Sequence, residues 1–138
     1  FIFCGIYRRY FRKKEKDMKS PSEYHKEGYT CAEAIIKSYN EEFNKDIPVS
    51  LGSGMGTGMA VGSLCGAVNG AVVAIGFIKG RESNDEKNEA RAYSKELLNR
   101  IREEFNSEIC LDLKKSKVSC AEIIDFAYDT LKDVLKEK

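Results

Sequence analysis

Between residues 31 and 43 the chain sets Cys31, Ile35, Tyr39 and Phe43 four positions apart, with mostly polar and charged residues among them. Apolar residues at that interval share one face of an α-helix. Thr30 followed by Glu33 supplies a reciprocal cap for its start, each side chain satisfying a free backbone N–H of the other. Asp46-Ile47-Pro48 breaks the pattern. A second stripe, Ala90, Tyr93, Leu97, Leu98, Ile101 and Phe105, predicts a helix capped by Asn84 with Asp85 and Glu86 in its first turn. A third, Cys120, Ile123, Ile124, Ala127, Leu131, Val134 and Leu135, begins at a second cap pair, Ser119 with Glu122. Ahead of these, Ser22 can cap a short helix that Gly28 ends in the left-handed conformation. No segment shows the sustained alternation of a strand.

The centre of the chain has a different pattern. Residues 47–78 contain no charged side chain, and nine of the eleven glycines lie between 52 and 80. The stretch GSGMGTG is too glycine-rich for a stable helix. From Ser63 to Gly80 the sequence reads as a helix that is apolar nearly all round and therefore buried on every side. Gly62, Gly66 and Gly70 recur every four residues and Ala74 continues the row, which lets neighbouring backbones approach closely. Met59 to Ile78 is as long as a membrane span. Ser63, Asn69 and the glycines lower its hydropathy, however, and the charged amphipathic helices that follow need an apolar partner. These patterns predict an all-α fold: a bundle of about five helices around a buried Gly/Ala-rich central helix.

The length of 138 residues suits one domain. We place it at residues 20–138, preceded by a basic segment at 1–19. That segment holds seven Lys or Arg against Glu15 and Asp17, and it follows an apolar start, FIFCGIY. It reads either as the flank of a clipped membrane or signal segment or as a stretch upstream of a natural start at Met18. Its aromatic and basic side chains make contact with a membrane surface the expectation for residues 1–19. The whole chain has a net charge of +1, so no nucleic-acid partner is expected. The glycine run matches no phosphate-binding loop, and no nucleotide is expected. Met55 and Met59 read as gap fillers beside the glycines. The single histidine, His25, lies between Tyr24 and Lys26 and reads as a solvated side chain, which argues against a histidine-rich metal site.

The remaining chemistry lies in the cysteines. Cys31 and Cys120 each sit one residue inside a helix start on the apolar face, and Cys65 falls in the first turn after Ser63. Cys110 sits in the short segment SEICLDL, and Cys4 lies apart with no role assigned. A helix N-terminus favours thiolate, the form that binds metals and attacks disulfides. The inward orientation points to convergence, against the alternative that each thiol packs as a small hydrophobe. Paired CxxC spacing is absent, so any shared site is assembled by folding. Glu33 and Glu122 read as cap residues rather than as acids or bases.

YTCAEAI, a glycine-rich stretch, CGAVNGAVVAIG and two later cysteines together resemble the redox-active four-cysteine family named for its C…CGAxxG…C…C signature. Cys31 matches the first cysteine, Cys65-Gly66-Ala67 with Gly70 the central element, and Cys110 and Cys120 the last two. The resemblance spans roughly residues 18–136. It implies a small helical protein of redox character, often encoded beside transporter genes, and no particular reaction. Split-Soret cytochromes carry a related domain, but without a CxxCH motif no haem is expected here. On this reading Cys31, Cys65, Cys110 and Cys120 either bind an iron–sulfur cluster or cycle between thiol and disulfide, with zinc as a further outcome. Gly66, Ala67 and Gly70 shape the site through their backbone. We expect a cytoplasmic protein with a redox partner that the sequence does not identify, and a homodimer through the glycine-striped helix. The competing class is an interaction module with a structural Cys4 zinc site or inert buried cysteines.

Overall fold

The computed structural model describes residues 19–136, so the expectations for Cys4, Met18 and the basic start lie outside the described residues. The chain is all-α. Among the described residues the helices are α1 (Pro21–Lys26), α2 (Cys31–Phe43), α3 (Gly66–Lys79), α4 (Ala90–Phe105), α5 (Cys110–Lys115) and α6 (Cys120–Val134). A 3₁₀ turn (Val49–Gly52) and a π-type turn (Gly58–Gly62) lie between α2 and α3. The helix beyond the expected five is α5, in the segment around Cys110, and the glycine run folds into the two turns.

The cap at Thr30 forms as the sequence implies. Its hydroxyl accepts the Glu33 N–H at 3.1 Å, and the Glu33 carboxylate accepts the Thr30 N–H at 2.9 Å. Asn44, left-handed at φ 53°, closes α2. Ser119 accepts the Glu122 N–H and starts α6.

Three helix starts differ from the sequence reading. Ser20, not Ser22, caps α1, because Pro21 takes the first helical position, where its fixed φ fits. Ser22 instead donates its N–H and its hydroxyl to Asp125 of α6, at 3.2 and 2.9 Å. α3 starts at Gly66 rather than after Ser63, since the backbone at 63–65 is engaged in pairing described below. α4 starts at Ala90, because the Arg81 guanidinium holds the carbonyls of Asn84 and Glu86 and keeps that segment in turns.

α3 is the centre of the bundle, packed against α2, α4 and α6. Val68, Ala71, Ala74 and Ile75 are fully buried along it. Its burial is not complete all round: Phe77 is 48% exposed near the C-terminal end. Around it stand Ile35 and Ile36 of α2, Leu97 and Ile101 of α4, and Ile124 and Leu131 of α6, each without solvent exposure. The glycine row is used inside the chain. A Cβ on Gly70 would lie 2.8 Å from the Ala32 Cα, and one on Gly62 would lie 2.6 Å from the Leu111 Cγ. Among the described residues no helix is long and apolar enough to cross a membrane.

Candidate functional site

Two backbone hydrogen bonds set the framework of the site. The Cys65 N–H donates to the Glu108 carbonyl at 2.9 Å, and the Cys110 N–H donates to the Ser63 carbonyl at 2.7 Å. They flank a single antiparallel bridge between Leu64 and Ile109. This clip seats Cys65 at the N-cap of α3 and Cys110 at the start of α5, side by side. Arg102 braces it from outside with a two-pronged ion pair to the Glu108 carboxylate, at 2.8 and 2.6 Å. That pairing holds the carboxyl below its usual range. No strand periodicity marks the clip in the sequence, because it is one residue pair long.

The glycines let the backbone close around the cysteines. Gly58 has φ +60°, and a Cβ there would lie 2.6 Å from the Cys110 Cβ. Thr57, Met59 and Ala60 around it also have positive φ, so the chain turns left-handed over the site. Such backbone is costly for side-chain-bearing residues and persists only where the surroundings impose it. A Cβ on Gly66 would sit 3.1 Å from the Cys31 Cβ.

The outcome is one cavity of about 150 Å³ lined by Cys31, Cys65, Cys110 and Cys120, with Leu113, Val118 and Ile123 on its apolar wall. The four thiols come from the starts of α2, α3, α5 and α6. All four are free cysteines. Cys31, Cys65 and Cys110 are buried. Cys120 is exposed, contrary to the expectation of a buried face, because the first residue of α6 stands at the cavity's mouth while Ile123 and Ile124 carry the packing. Of the residues expected to shape the site through their backbone, Gly66 lines the cavity, the Ala67 N–H faces the Cys65 sulfur, and Gly70 is buried in the packing of α3.

The expectation of thiolates at helix starts is corrected for the two deepest sulfurs. Burial pushes the Cys31 thiol up to about 12, and the neighbouring Cys120, Cys65 and Cys110 add to the shift. Burial also raises Cys65, opposed by the N–H groups of Val68 and Ala67 that face its sulfur. Desolvation thus outweighs the helix terminus, and at neutral pH both are thiols until a cation replaces their protons.

This has a consequence for stability. Below about pH 9 the folded and unfolded chains both keep the Cys31 proton. Above it the unfolded chain releases the proton, and the folded chain holds it until about pH 12. Stability is therefore expected to fall across that interval, by up to about 4 kcal/mol from Cys31 alone. The buried phenols of Tyr24 and Tyr128, also raised, add to the fall at its upper end. Urea midpoints over this range should drop less steeply for Cys31→Ala than for the unaltered chain. Parallel profiles would remove Cys31 as the cause.

His25 belongs to the site, which the sequence reading missed. It is half-buried, lines the same cavity, and its Nδ1 lies 2.9 Å from the Tyr29 carbonyl oxygen. One ligand atom each of His25, Cys31 and Cys120 lie within 4.8 Å of one another. The turn at Gly28, with φ +114°, folds α1 back so that residue 25 faces the start of α2. Gly28 was the available signal; a sole histidine among polar neighbours gave none. Glu33 keeps its cap role: its carboxylate is engaged by the Thr30 N–H and the Ser53 hydroxyl, which hold it below the usual range.

Thiols and an imidazole, with no carboxylate among the residues lining the cavity, form a donor set for soft or borderline metals. No curated protein and no solved structure matches the chain. A family model described as "Putative redox-active protein (C_GCAxxG_C_C)" matches residues 29–134. That label writes its central element Gly-Cys-Ala-x-x-Gly, where this chain reads Cys65-Gly66-Ala67-Val68-Asn69-Gly70. The match covers most of the chain and all four cavity cysteines, and the protein belongs to this four-cysteine redox family.

Proposed function

We propose that the chain is an electron-transfer protein that holds an iron–sulfur cluster on Cys31, Cys65, Cys110 and Cys120. The observation that carries this reading is the lining of one small apolar cavity by four cysteines from four separate helix starts. A bound cluster would supply reversible one-electron chemistry. The chain would supply the four sulfurs and the Ala67 and Val68 N–H groups beside the Cys65 sulfur. Leu113, Val118 and Ile123 would limit water. Cys120, exposed at the mouth, would mark the edge through which an electron passes to a one-electron carrier.

The spread of the sulfurs favours a cluster over one ion. Tetrahedral zinc with bonds of about 2.3 Å holds its sulfurs about 3.8 Å apart. The donor group that closes to within 4.8 Å takes in only two of the four sulfurs, those of Cys31 and Cys120. Thiolate is the attacking form in thiol–disulfide cycling, and burial raises the Cys31 thiol, which disfavours Cys31 as the attacking group.

The test is the full chain purified without oxygen, with iron, acid-labile sulfide and zinc measured beside the visible spectrum. Equal iron and sulfide, with absorbance that bleaches on reduction, is the expected result. A chain that stays colourless after anaerobic reconstitution with iron and sulfide would overturn it.

A further inference from the structure

We propose that His25, Cys31 and Cys120 form a second, mononuclear site for a thiophilic divalent cation of the zinc class, available on chains that carry no cluster. The site shares two cysteines with the cluster reading, so the two occupants exclude each other. Neither proposal depends on the other.

Four observations converge on it. The three ligand atoms already lie within 4.8 Å of one another, and zinc bonds of about 2.0–2.3 Å require only a small further closure. The Tyr29 carbonyl can only accept, so Nδ1 of His25 carries a proton, and in the neutral imidazole the lone pair is on Nε2. A metal-binding histidine is commonly oriented in this way, by a backbone carbonyl on its other nitrogen. The helices that carry His25 and Cys120 are locked together by the two bonds from Ser22 to Asp125. Finally, half-buried His25 and exposed Cys120 stand at the mouth of the cavity, with access for an ion and room to adjust. Three protein donors leave one tetrahedral position, open to water or a small thiol. His25 lies outside the family-matched residues 29–134.

Cobalt(II) is the probe, titrated without oxygen into the reduced, cluster-free full chain. One equivalent is expected to bind with tetrahedral d–d bands and thiolate-to-cobalt charge transfer. His25→Ala should weaken binding at least tenfold, on the order of a lost zinc-site contact. His25→Cys should restore binding and raise the charge-transfer intensity. Cys65→Ser, alone or with Cys110→Ser, should leave the cobalt spectrum in place. The proposal is overturned if the unaltered chain binds no cobalt. It also fails if His25→Ala binds cobalt normally while the Cys65→Ser chains lose it. Iron and sulfide loading of His25→Ala separates the two readings. Failed cobalt binding beside normal iron loading sinks only this site; absent iron loading beside normal cobalt binding sinks only the cluster.

Discussion

Cys65→Ser is expected to reduce iron and sulfide loading to background while the fold stands. Cys65 is the N-cap of α3 and only 4% exposed, so the substitution exchanges sulfur for oxygen at a nearly closed position. Serine is among the preferred residues for that position, because its hydroxyl accepts an N–H of the first turn. The N–H groups of Ala67 and Val68 already face the side chain of residue 65. The stability of the metal-free protein should therefore change by no more than about 1 kcal/mol. The oxygen is a poor replacement for a soft thiolate ligand. Iron and sulfide analysis, with circular dichroism on the same sample, checks both halves. Full loading of a folded Cys65→Ser chain would remove this cysteine from the site. Loss of fold together with loading would instead make its role one of packing.

The cysteines were legible in the sequence for a reason that applies unevenly to the rest of the site. Cys31 and Cys120 follow recognisable caps, and Cys65 sits in a motif with its own glycine signature. Cys110 had only its neighbourhood. Its placement comes from the pairing of Ser63 and Cys65 with Glu108 and Cys110, across more than forty intervening residues. A two-bond clip leaves no periodicity to read. His25 was lost for a related reason. Its contact with the cysteines depends on a left-handed turn at Gly28 and on the docking of α1 against α6 through Asp125, a residue a hundred positions away. The thiolate argument failed in another way. A helix terminus is visible in sequence, whereas the depth at which it is buried is not, and for Cys31 depth is the larger effect.

The helices follow the same division. α2 and α6 are set by local signals, a cap residue and an apolar stripe, and both form where those signals place them. The start of α4 was misread because Asn84, a competent cap by itself, lies in a segment gathered around Arg81. The uncharged centre gave the buried helix correctly in kind. Its burial is not all-round, since Phe77 reaches solvent near the C-terminal end.

The glycine row on α3 makes the second large effect. Gly70→Val is expected to destabilise the protein by about 3 kcal/mol or more, the upper range for overpacking. A Cβ at this position would meet the Cα and the carbonyl oxygen of Ala32, both at 2.8 Å. These are backbone atoms of α2, so no flexible side chain can swing away, and the two helices must part. Ala32 follows Cys31 directly, and parting α2 from α3 also draws Cys31 away from Cys65. Iron loading should therefore fall with stability. Gly76→Ala provides the contrast within the same helix. Nothing lies within 4 Å of a Cβ at residue 76, so alanine there gains helix propensity with no clash. It is expected to raise stability by up to about 1 kcal/mol and leave iron loading unchanged. Thermal or urea unfolding of both variants beside the unaltered chain decides the matter. If Gly70→Val unfolds with the midpoint of the unaltered chain, the close approach of α2 and α3 is not what holds the first two cysteines together.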